Sequence, residues 1–284
     1  MGSPRPHLRI SVIFGRRGKS SPIRRGPLII HPDLVISCIV RPERNINIQE
    51  LSIIIPHICL SREFVLFEVH PSLETKPLYL DIGKALRPEL LKIDGFIDNI
   101  RYGSVTKPGW VLSLSTWRDE KSLVRWRTQG RHHGAQEKGR NEVFLDYRLR
   151  ICEITADTHI PEGYGIHEQR LDITRAGDAE AVVLISMNKT GLQNPNPQEV
   201  LDYFRLESNK IKDLVSWDVF DDVLDPGDII AYLSFTTADA ASEFLKGCEE
   251  KGDFRYRGGR VIRDYGMYNR HEAPQYYPDI ERKE

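Results

Sequence analysis

Between residues 63 and 154, the hydrophobic positions alternate as in strands, then recur with helical spacing, and then alternate again. The elements that this pattern predicts are a strand at 63–69, a helix with Leu78, Ile82, Leu86 and Leu90 on one face, strands at 95–105 and 110–117, a helix from about Asp119 to Glu137, and a strand at 143–154. The predicted order is therefore βαββαβ.

The same order returns from residue 180 onward. The predicted elements are a strand at 180–188, a helix with Val200, Phe204 and Ile211 on one face, strands at 214–224 and 228–235, a helix with Ala240, Phe244 and Cys248, and a strand at 260–265. When Leu112–Trp117 is placed on Ala231–Thr236, the offset is 119 residues and the following helices align without a gap. An ungapped alignment across several elements predicts an internal duplication.

Each βαββαβ repeat predicts an α+β, ferredoxin-like unit with two helices on one face of a four-stranded sheet. The other face of such a sheet must also be buried, and two units in one chain can bury both bare faces by pairing as an intramolecular barrel. The predicted domains are a disordered or poorly packed basic extension at 1–60, a first domain at 61–155, a linker at 156–179, a second domain at 180–266 and a tail at 267–284.

Composition limits the classes of protein that this chain can be. Of its 284 residues, 40% are hydrophobic and 29% are charged, and the formal net charge of −1 lacks the basic bias of a nucleic-acid-binding protein. The four cysteines are scattered without a Cys-x-x-Cys pair, which favours reduced thiols in an intracellular protein. No run of 18 apolar residues predicts a membrane span. We therefore expect a cytoplasmic protein that binds neither nucleic acid nor membrane.

The start of the chain has a different composition. Residues 1–60 contain nine Lys and Arg against three acidic residues, and no acidic residue precedes Asp33. An Arg-rich start without acids is typical of an organelle transit peptide, so a mitochondrial location is an alternative. A disordered tail and a mispredicted start are the other interpretations.

Trp126 and the paired His132 and His133 are the first candidates for chemistry. An indole one or two helical turns from an imidazole, just after a strand end, would line a small pocket for a flat ligand. The alternative is that Trp126 belongs to the core and that the histidines form an exposed helix end.

The segments IDGFIDNIRYGSV, PGWVLSLSTWRDEKSLVRWRTQGRHHGAQEKGR and VFLDYRLRICEI resemble the antibiotic biosynthesis monooxygenase family. The tail RVIRDYGMYNRHEAPQYYP (260–278) resembles the segment that follows the last strand in small members of that family. The resemblance implies a dimeric α+β barrel, here built from a tandem repeat, as a monomeric pseudo-dimer or a homodimer. It also implies one of two chemistries, namely cofactor-independent oxygenation or haem degradation.

Cofactor-independent oxygenation is the function that we expect, with a flat phenol or hydroquinone of the polyketide type and O2 as the small-molecule partners. Once deprotonated, such a substrate can itself pass an electron to O2, so no cofactor is expected, and a neutral histidine is a suitable base. The resemblance assigns catalysis to His132 or His133. The residues expected to bind substrate are Trp117, Trp126, Phe144, Ser113, Ser115, Asn99 and Arg148.

Two alternative functions remain open at this point. The first is a haem- or small-ligand-binding barrel without oxygenase activity, in which His132 or His133 would ligate iron. The haem-degrading branch also uses an asparagine on the first strand, where this chain has Phe67 and Glu68. The second alternative is a non-catalytic structural or stress protein.

The 119-residue offset predicts that only the first repeat carries a site. It places Thr236, Leu245, Lys251 and Gly252 at the positions of Trp117, Trp126, His132 and His133. The second repeat is therefore expected to close the barrel without binding a ligand.

Overall fold

A computed structural model describes residues 28–31, 34–36, 62–161, 164–166, 177–248 and 254–282. The chain divides into two compact units, Met1–Ile55 and Pro56–Glu284. In the first unit, the described backbone is an antiparallel pair of short strands, β1 (Leu28–His31) and β2 (Leu34–Ile36). The rest of the predicted basic extension 1–60 and much of the predicted linker 156–179 lie outside the described residues.

The second unit contains two consecutive βαββαβ repeats, as the sequence predicts. The first repeat consists of β3 (Glu63–Pro71), α1 (Lys76–Leu90), β4 (Phe96–Ser104), β5 (Val111–Trp117), α2 (Glu120–Arg127), α3 (Gly130–Lys138), a π-helical turn (Gly139–Val143) and β6 (Phe144–Asp157). The second consists of β7 (Ala181–Met187), α4 (Pro197–Tyr203), a 3₁₀ turn (Ser208–Lys210), β8 (Leu214–Asp222), β9 (Ile229–Phe235), α5 (Ala238–Lys246) and β10 (Arg255–Gly266).

The eight strands of these repeats form one closed barrel in the order β10-β6-β3-β5-β4-β8-β9-β7. Each repeat contributes four neighbouring antiparallel strands, and the repeats join where β10 pairs with β6 and where β4 pairs with β8. The predicted α+β fold, with two ferredoxin-like repeats paired as an intramolecular barrel, is therefore confirmed. Closure leaves no unpaired sheet edge among these eight strands.

The two faces of the strands carry different cores. Side chains that point into the barrel, such as Leu66 and Leu114 from the first repeat and Leu184 and Tyr232 from the second, form a shared interior core. On the outer face of the second repeat, β7 and β9 pack against α4 and α5 around Phe204 and other apolar residues. The alternation of inward and outward side chains along each strand allows one strand to serve both cores.

The prediction of a single helix from Asp119 to Glu137 is wrong, because the structure has two helices there. Asp119 caps α2 by accepting a hydrogen bond from the Ser122 amide at 2.8 Å. The helix ends at Arg127, and Gln129 takes an extended backbone conformation before α3 begins. The Gln129 side chain then caps α3 by accepting a bond from the His132 amide at 2.8 Å. The chain therefore turns between Trp126 and the two histidines.

The offset of 119 residues between the repeats is also wrong, because strand register gives 118. Trp117 pairs with Glu63 on β3 and with Phe96 on β4, and Phe235 pairs with Ala181 on β7 and with Leu214 on β8. Both β4 and β8 then shift register at the same place, one residue further on. A shift of one residue along a strand exchanges its two faces, so the counterpart of Trp117 is Phe235 and not Thr236.

Candidate active site

A cavity of about 220 Å³ lies on the outer face of the first repeat, between its sheet and α1, α2 and α3. Its floor is formed by side chains from β3, β4, β5 and β6, and its roof by the three helices and the π-helical turn. Seven of the nine residues that the sequence assigned to a site line this cavity, namely Asn99, Ser113, Ser115, Trp117, Trp126, His132 and Phe144. We call it the first-repeat cavity.

The turn between α2 and α3 brings His132 onto Trp126. The two rings are stacked, with centroids 4.1 Å apart and planes inclined by 15°. The Nδ1 atom of His132 lies 2.9 Å from the Trp126 carbonyl oxygen, and a carbonyl can only accept, so Nδ1 carries the proton that is donated. In the neutral ring this leaves Nε2 as a hydrogen-bond acceptor.

Burial keeps His132 uncharged. Desolvation lowers the pKa of its imidazole to about 4, while the bond to the Trp126 carbonyl acts in the opposite direction. The Gln136 amide nitrogen donates to the Arg127 carbonyl at 3.1 Å and lies beside the imidazole, 3.0 Å from Nδ1. At neutral pH the cavity therefore contains a neutral imidazole of fixed orientation.

Small polar groups line the floor of the cavity on β4 and β5. The Asn99 amide donates to the Ser113 hydroxyl at 2.9 Å and to the Leu114 carbonyl at 3.1 Å. The indole N–H of Trp117 donates to the Ser115 hydroxyl at 2.9 Å, and the indole is otherwise buried. Both serine hydroxyls accept these bonds, and the Ser113 hydroxyl is also within hydrogen-bonding reach of Tyr79 on α1.

Phe144 and its neighbours form an aromatic wall at one end of the cavity. Its ring lies 5.8 Å from Phe67, 5.6 Å from Tyr79 and 6.1 Å from Tyr147, in edge-to-face arrangements. A Cβ atom at Gly139 would lie 2.6 Å from the Phe144 ring, so the π-helical turn can approach this wall only with glycine at that position. The wall excludes water from that end of the cavity.

Arg148 is one of the two predicted residues that the structure does not bring to the cavity. Its guanidinium forms a bidentate pair with Asp264 of β10, at 2.7 and 2.6 Å. Sequence alternation placed Arg148 and Phe144 on one face of β6, but the pairing of β6 with β3 shifts register between His70 and Pro71, which pair with Asp146 and Phe144. This irregularity moves Phe144 to the cavity side, with Tyr147, while Arg148 stays on the other side.

His133 is the other predicted residue outside the cavity. Its side chain is exposed on α3, with its ring centroid 6.4 Å from that of Tyr277 and Nδ1 3.5 Å from the Gln275 amide nitrogen. Because His132 and His133 are adjacent on a helix, only one of them can face the sheet. The structure therefore distinguishes between the two histidines, which the sequence could not do: His132 lines the cavity and His133 does not.

Four arginines line the first-repeat cavity and were not predicted: Arg87, Arg101, Arg127 and Arg270. No acidic side chain is among the lining residues in the described part of the chain. Tyr79 was also missed, although it lies on the same face of α1 as Ile82. A signal for Arg101 was present, since it follows Asn99 by two residues and must share its face of β4.

The C-terminal segment closes the cavity from the second repeat. Tyr265 of β10 and the following Arg270 and Gln275 are among the lining residues. Arg270 donates to the Tyr147 hydroxyl at 2.7 Å and to the Gln275 carbonyl at 3.0 Å, which fastens this segment to β6. The wall of the first-repeat cavity is thus built partly by the end of the other repeat.

The equivalent space of the second repeat is filled with apolar side chains. With the offset of 118, the counterparts of Asn99, Arg101, Ser113 and Ser115 are Trp217, Val219, Ala231 and Leu233. All four belong to or pack against the outer core of that repeat. Phe235 and Phe244 replace the two tryptophans, with ring centroids 5.4 Å apart. Lys251 and Gly252, the predicted counterparts of the histidines, lie outside the described residues.

Haem does not fit the first-repeat cavity. His132 is neutral and has a nitrogen lone pair, as an iron ligand requires. However, a cavity of about 220 Å³ has room for a small ring molecule or a short apolar acid and not for a macrocycle of four pyrroles. A tetrapyrrole would require α2 and α3 to move away from the sheet.

Comparisons with known proteins give one strong similarity in sequence. No family model matched the chain. The jasmonate monooxygenase ABM of Pyricularia oryzae is 42% identical over 218 residues, which cover 75% of this chain and 97% of that protein. Among solved structures, an aldoxime dehydratase in complex with butyraldoxime aligns with 12% identity and a TM-score of 0.44, covering 72% of this chain and 80% of its own. An anthrone oxidase-like protein aligns with 12% identity and a TM-score of 0.28, covering 77% and 98%. Neither structural likeness is close enough to support an argument about function.

The paired βαββαβ repeats, with a cavity between the sheet and the helices of the first, define a tandem α+β barrel. With the similarity to the Pyricularia oryzae enzyme, the chain belongs to the antibiotic biosynthesis monooxygenase family. In the described part of the chain, no helix is long and apolar enough to span a membrane.

Proposed function

We propose that this protein is a monooxygenase that uses O2 on a small, mostly apolar molecule bound in the first-repeat cavity. The observation that carries the proposal is the position of neutral His132 in a cavity with an aromatic wall and a polar floor. Such a site orients a flat molecule, excludes water and offers an acceptor for a substrate proton. The second repeat, whose equivalent space is filled, closes the barrel.

The first candidate substrate is a phenol or hydroquinone of the polyketide type. When a ring CH2 or its enol becomes a carbonyl, the substrate loses four electrons, one oxygen atom enters the product and the other leaves as water. No external reductant or cofactor is then needed. The Trp126 and Phe144 rings supply flat walls for such a molecule.

The low pKa of His132 limits its part in this reaction. A phenol with a pKa of about 10 lies roughly 6 units above the imidazole, which corresponds to about 8 kcal/mol for complete proton transfer in the resting site. A substrate that loses an electron to O2 becomes far more acidic. We therefore infer that His132 first accepts a hydrogen bond at Nε2 and takes the proton only as the electron leaves.

The second candidate substrate is a small apolar acid similar to jasmonate, which the related Pyricularia oryzae enzyme is named for. The four arginines and the lack of acidic lining residues in the described chain favour a molecule with a negative charge. If one oxygen atom is inserted into an unactivated C–H bond, two further electrons must come from a reductant to convert the other atom into water.

Oxygen consumption and product mass test both candidates. Purified protein is given a hydroquinone-type polyketide or jasmonate under ¹⁸O2, with and without an added two-electron reductant. We expect one labelled oxygen atom in the product, with the rate reduced at least tenfold by His132→Gln and unchanged by His133→Gln. No labelled product from either substrate, or equal rates in the two variants, would contradict the proposal.

A further inference from the structure

One polar cluster in the first-repeat cavity joins Arg101 of β4 to Tyr79 of α1. Arg101 projects from β4 against α1, so close to Gly83 that a Cβ atom there would lie 2.4 Å from a guanidinium nitrogen. Its Nε lies 3.4 Å from the Tyr79 hydroxyl, and its guanidinium lies 5.7 Å from the Tyr79 ring centroid. In the described part of the chain, no carboxylate lies within ion-pair distance of Arg101.

Several buried or half-buried arginines of the chain have a carboxylate partner, although the buried Arg140 bonds only hydroxyl and carbonyl oxygens. Arg62 and Arg255 share Asp157, Arg150 bonds Asp264, and Arg260 bonds Glu153. A guanidinium that is taken partly out of water keeps its charge and is stabilised by a nearby anion. Since the lining residues in the described chain include no acid, a carboxylate on the ligand is the anion that this cavity favours.

The neighbours of Arg101 are hydrogen-bond donors of the kind that a carboxylate accepts. Burial raises the pKa of the Tyr79 hydroxyl, so it remains a protonated donor. Ser113 stands opposite Arg101 in the register of β4 and β5, accepts a bond from Asn99, and lies within hydrogen-bonding reach of the Tyr79 hydroxyl. A guanidinium and two hydroxyl groups thus meet at one place in the cavity, between β4, β5 and α1.

We propose that Arg101, with Tyr79 and Ser113, forms the binding site for the carboxylate of the substrate, and that the substrate is therefore a small apolar monocarboxylate. The inference rests on the proposed function for the location of the substrate but does not depend on turnover. The apolar part of the acid then extends along the cavity towards Trp126 and His132, where the reaction takes place.

Binding measurements by calorimetry test this site without any chemistry. The probes are jasmonate and octanoate, each compared with its methyl ester, which has the same apolar part without the charge. We expect the wild-type protein to bind at least one acid about tenfold or more tightly than its ester, as a charge-assisted hydrogen bond provides. In Arg101→Gln, acid and ester should bind equally, with the ester affinity within about threefold of wild type.

Two further variants and one stability measurement distinguish carboxylate binding from other roles of Arg101. Arg87→Gln, at an exposed arginine of the same cavity, is the matched control and should keep the preference for the acid. Arg101→Lys should keep part of the preference, and it tests the site if Arg101→Gln does not fold. Without ligand, Arg101→Gln should lower the melting temperature by less than about 5 °C, because the variant loses the contacts with Tyr79 but no ion pair.

The proposal is overturned if Arg101→Gln retains the preference, if Arg127→Gln abolishes it instead, or if wild-type protein binds neither acid better than its ester. A failure of the proposed function would look different, because acid binding would persist while no labelled product formed. Turnover of a neutral substrate without any preference for acids would reject the carboxylate site alone.

Discussion

Replacing His132 with glutamine should make the stability of the protein less sensitive to acid. The imidazole lies against Trp126 and donates to its carbonyl oxygen. In the folded protein, desolvation lowers its pKa to about 4 from an ordinary value of 6.5. The unfolded chain therefore binds a proton more readily than the folded protein in the window between these two values, so folding is disfavoured as the pH falls through it.

The size of this effect on stability follows from the difference between the folded and unfolded pKa values of His132. A difference of about 2.5 pKa units corresponds to about 3 kcal/mol once both states are fully protonated, well below pH 4. At pH 4.5 most of this penalty is present, whereas at pH 7 almost none is. We therefore expect His132 to account for about 2 kcal/mol of the stability that is lost between pH 7 and pH 4.5.

Urea unfolding at the two pH values measures this contribution. Wild-type protein should lose about 2 kcal/mol more than His132→Gln, because glutamine does not titrate. His133→Gln is the matched control and should follow the wild type, since His133 is exposed in the folded protein. If wild type and His132→Gln lose equal stability, the ring is charged or solvated in the folded state and the description of the cavity is wrong.

Three further predictions concern packing. Trp126→Ala should destabilise the protein by about 3–5 kcal/mol, because the indole is 9% exposed and packs in the core under α2, and a melting curve measures this. A loss under about 1 kcal/mol would show that the helix repacks. Gly259→Ala should cost about 1–3 kcal/mol in urea unfolding, because its Cβ atom would lie 2.4 Å from the Phe64 ring inside the barrel. An unchanged midpoint would show that Phe64 moves freely. Deleting residues 1–60, whose composition matches neither repeat, should change the melting temperature by less than about 5 °C, and a larger drop would show that they pack.

The barrel could be predicted from the sequence because most of its strands and helices follow one simple period. The alternation in 110–117 and the spacing from Leu78 to Leu90 both correspond to observed elements. The counterpart of Trp117 could not be predicted in the same way, because alignment by similarity cannot detect a slip of one residue. Only the pairing of β9 with its neighbours shows that Phe235 occupies that position.

Part of the cavity could be predicted because the alternation of a strand places every second side chain on the same face. Ser113, Ser115 and Trp117 alternate on one face of β5, so their common position follows from the period of the strand. Arg148 was assigned to the cavity because the register irregularity near Phe144 has no local signal in the sequence. The choice between His132 and His133 depended on the turn at Gln129, and that turn rests on a side-chain cap that periodicity does not detect.

The contribution of Tyr265, Arg270 and Gln275 to the first-repeat cavity determines when this protein can first function during its synthesis. More than 100 residues separate Phe144 from Tyr265, so a nascent chain that has completed the first repeat still lacks one wall of the cavity. The ribosome must translate the chain through Gln275 before a ligand can be enclosed. Partly translated chains are therefore expected to be unable to hold the substrate, which restricts oxygen chemistry to chains that have been translated at least through Gln275.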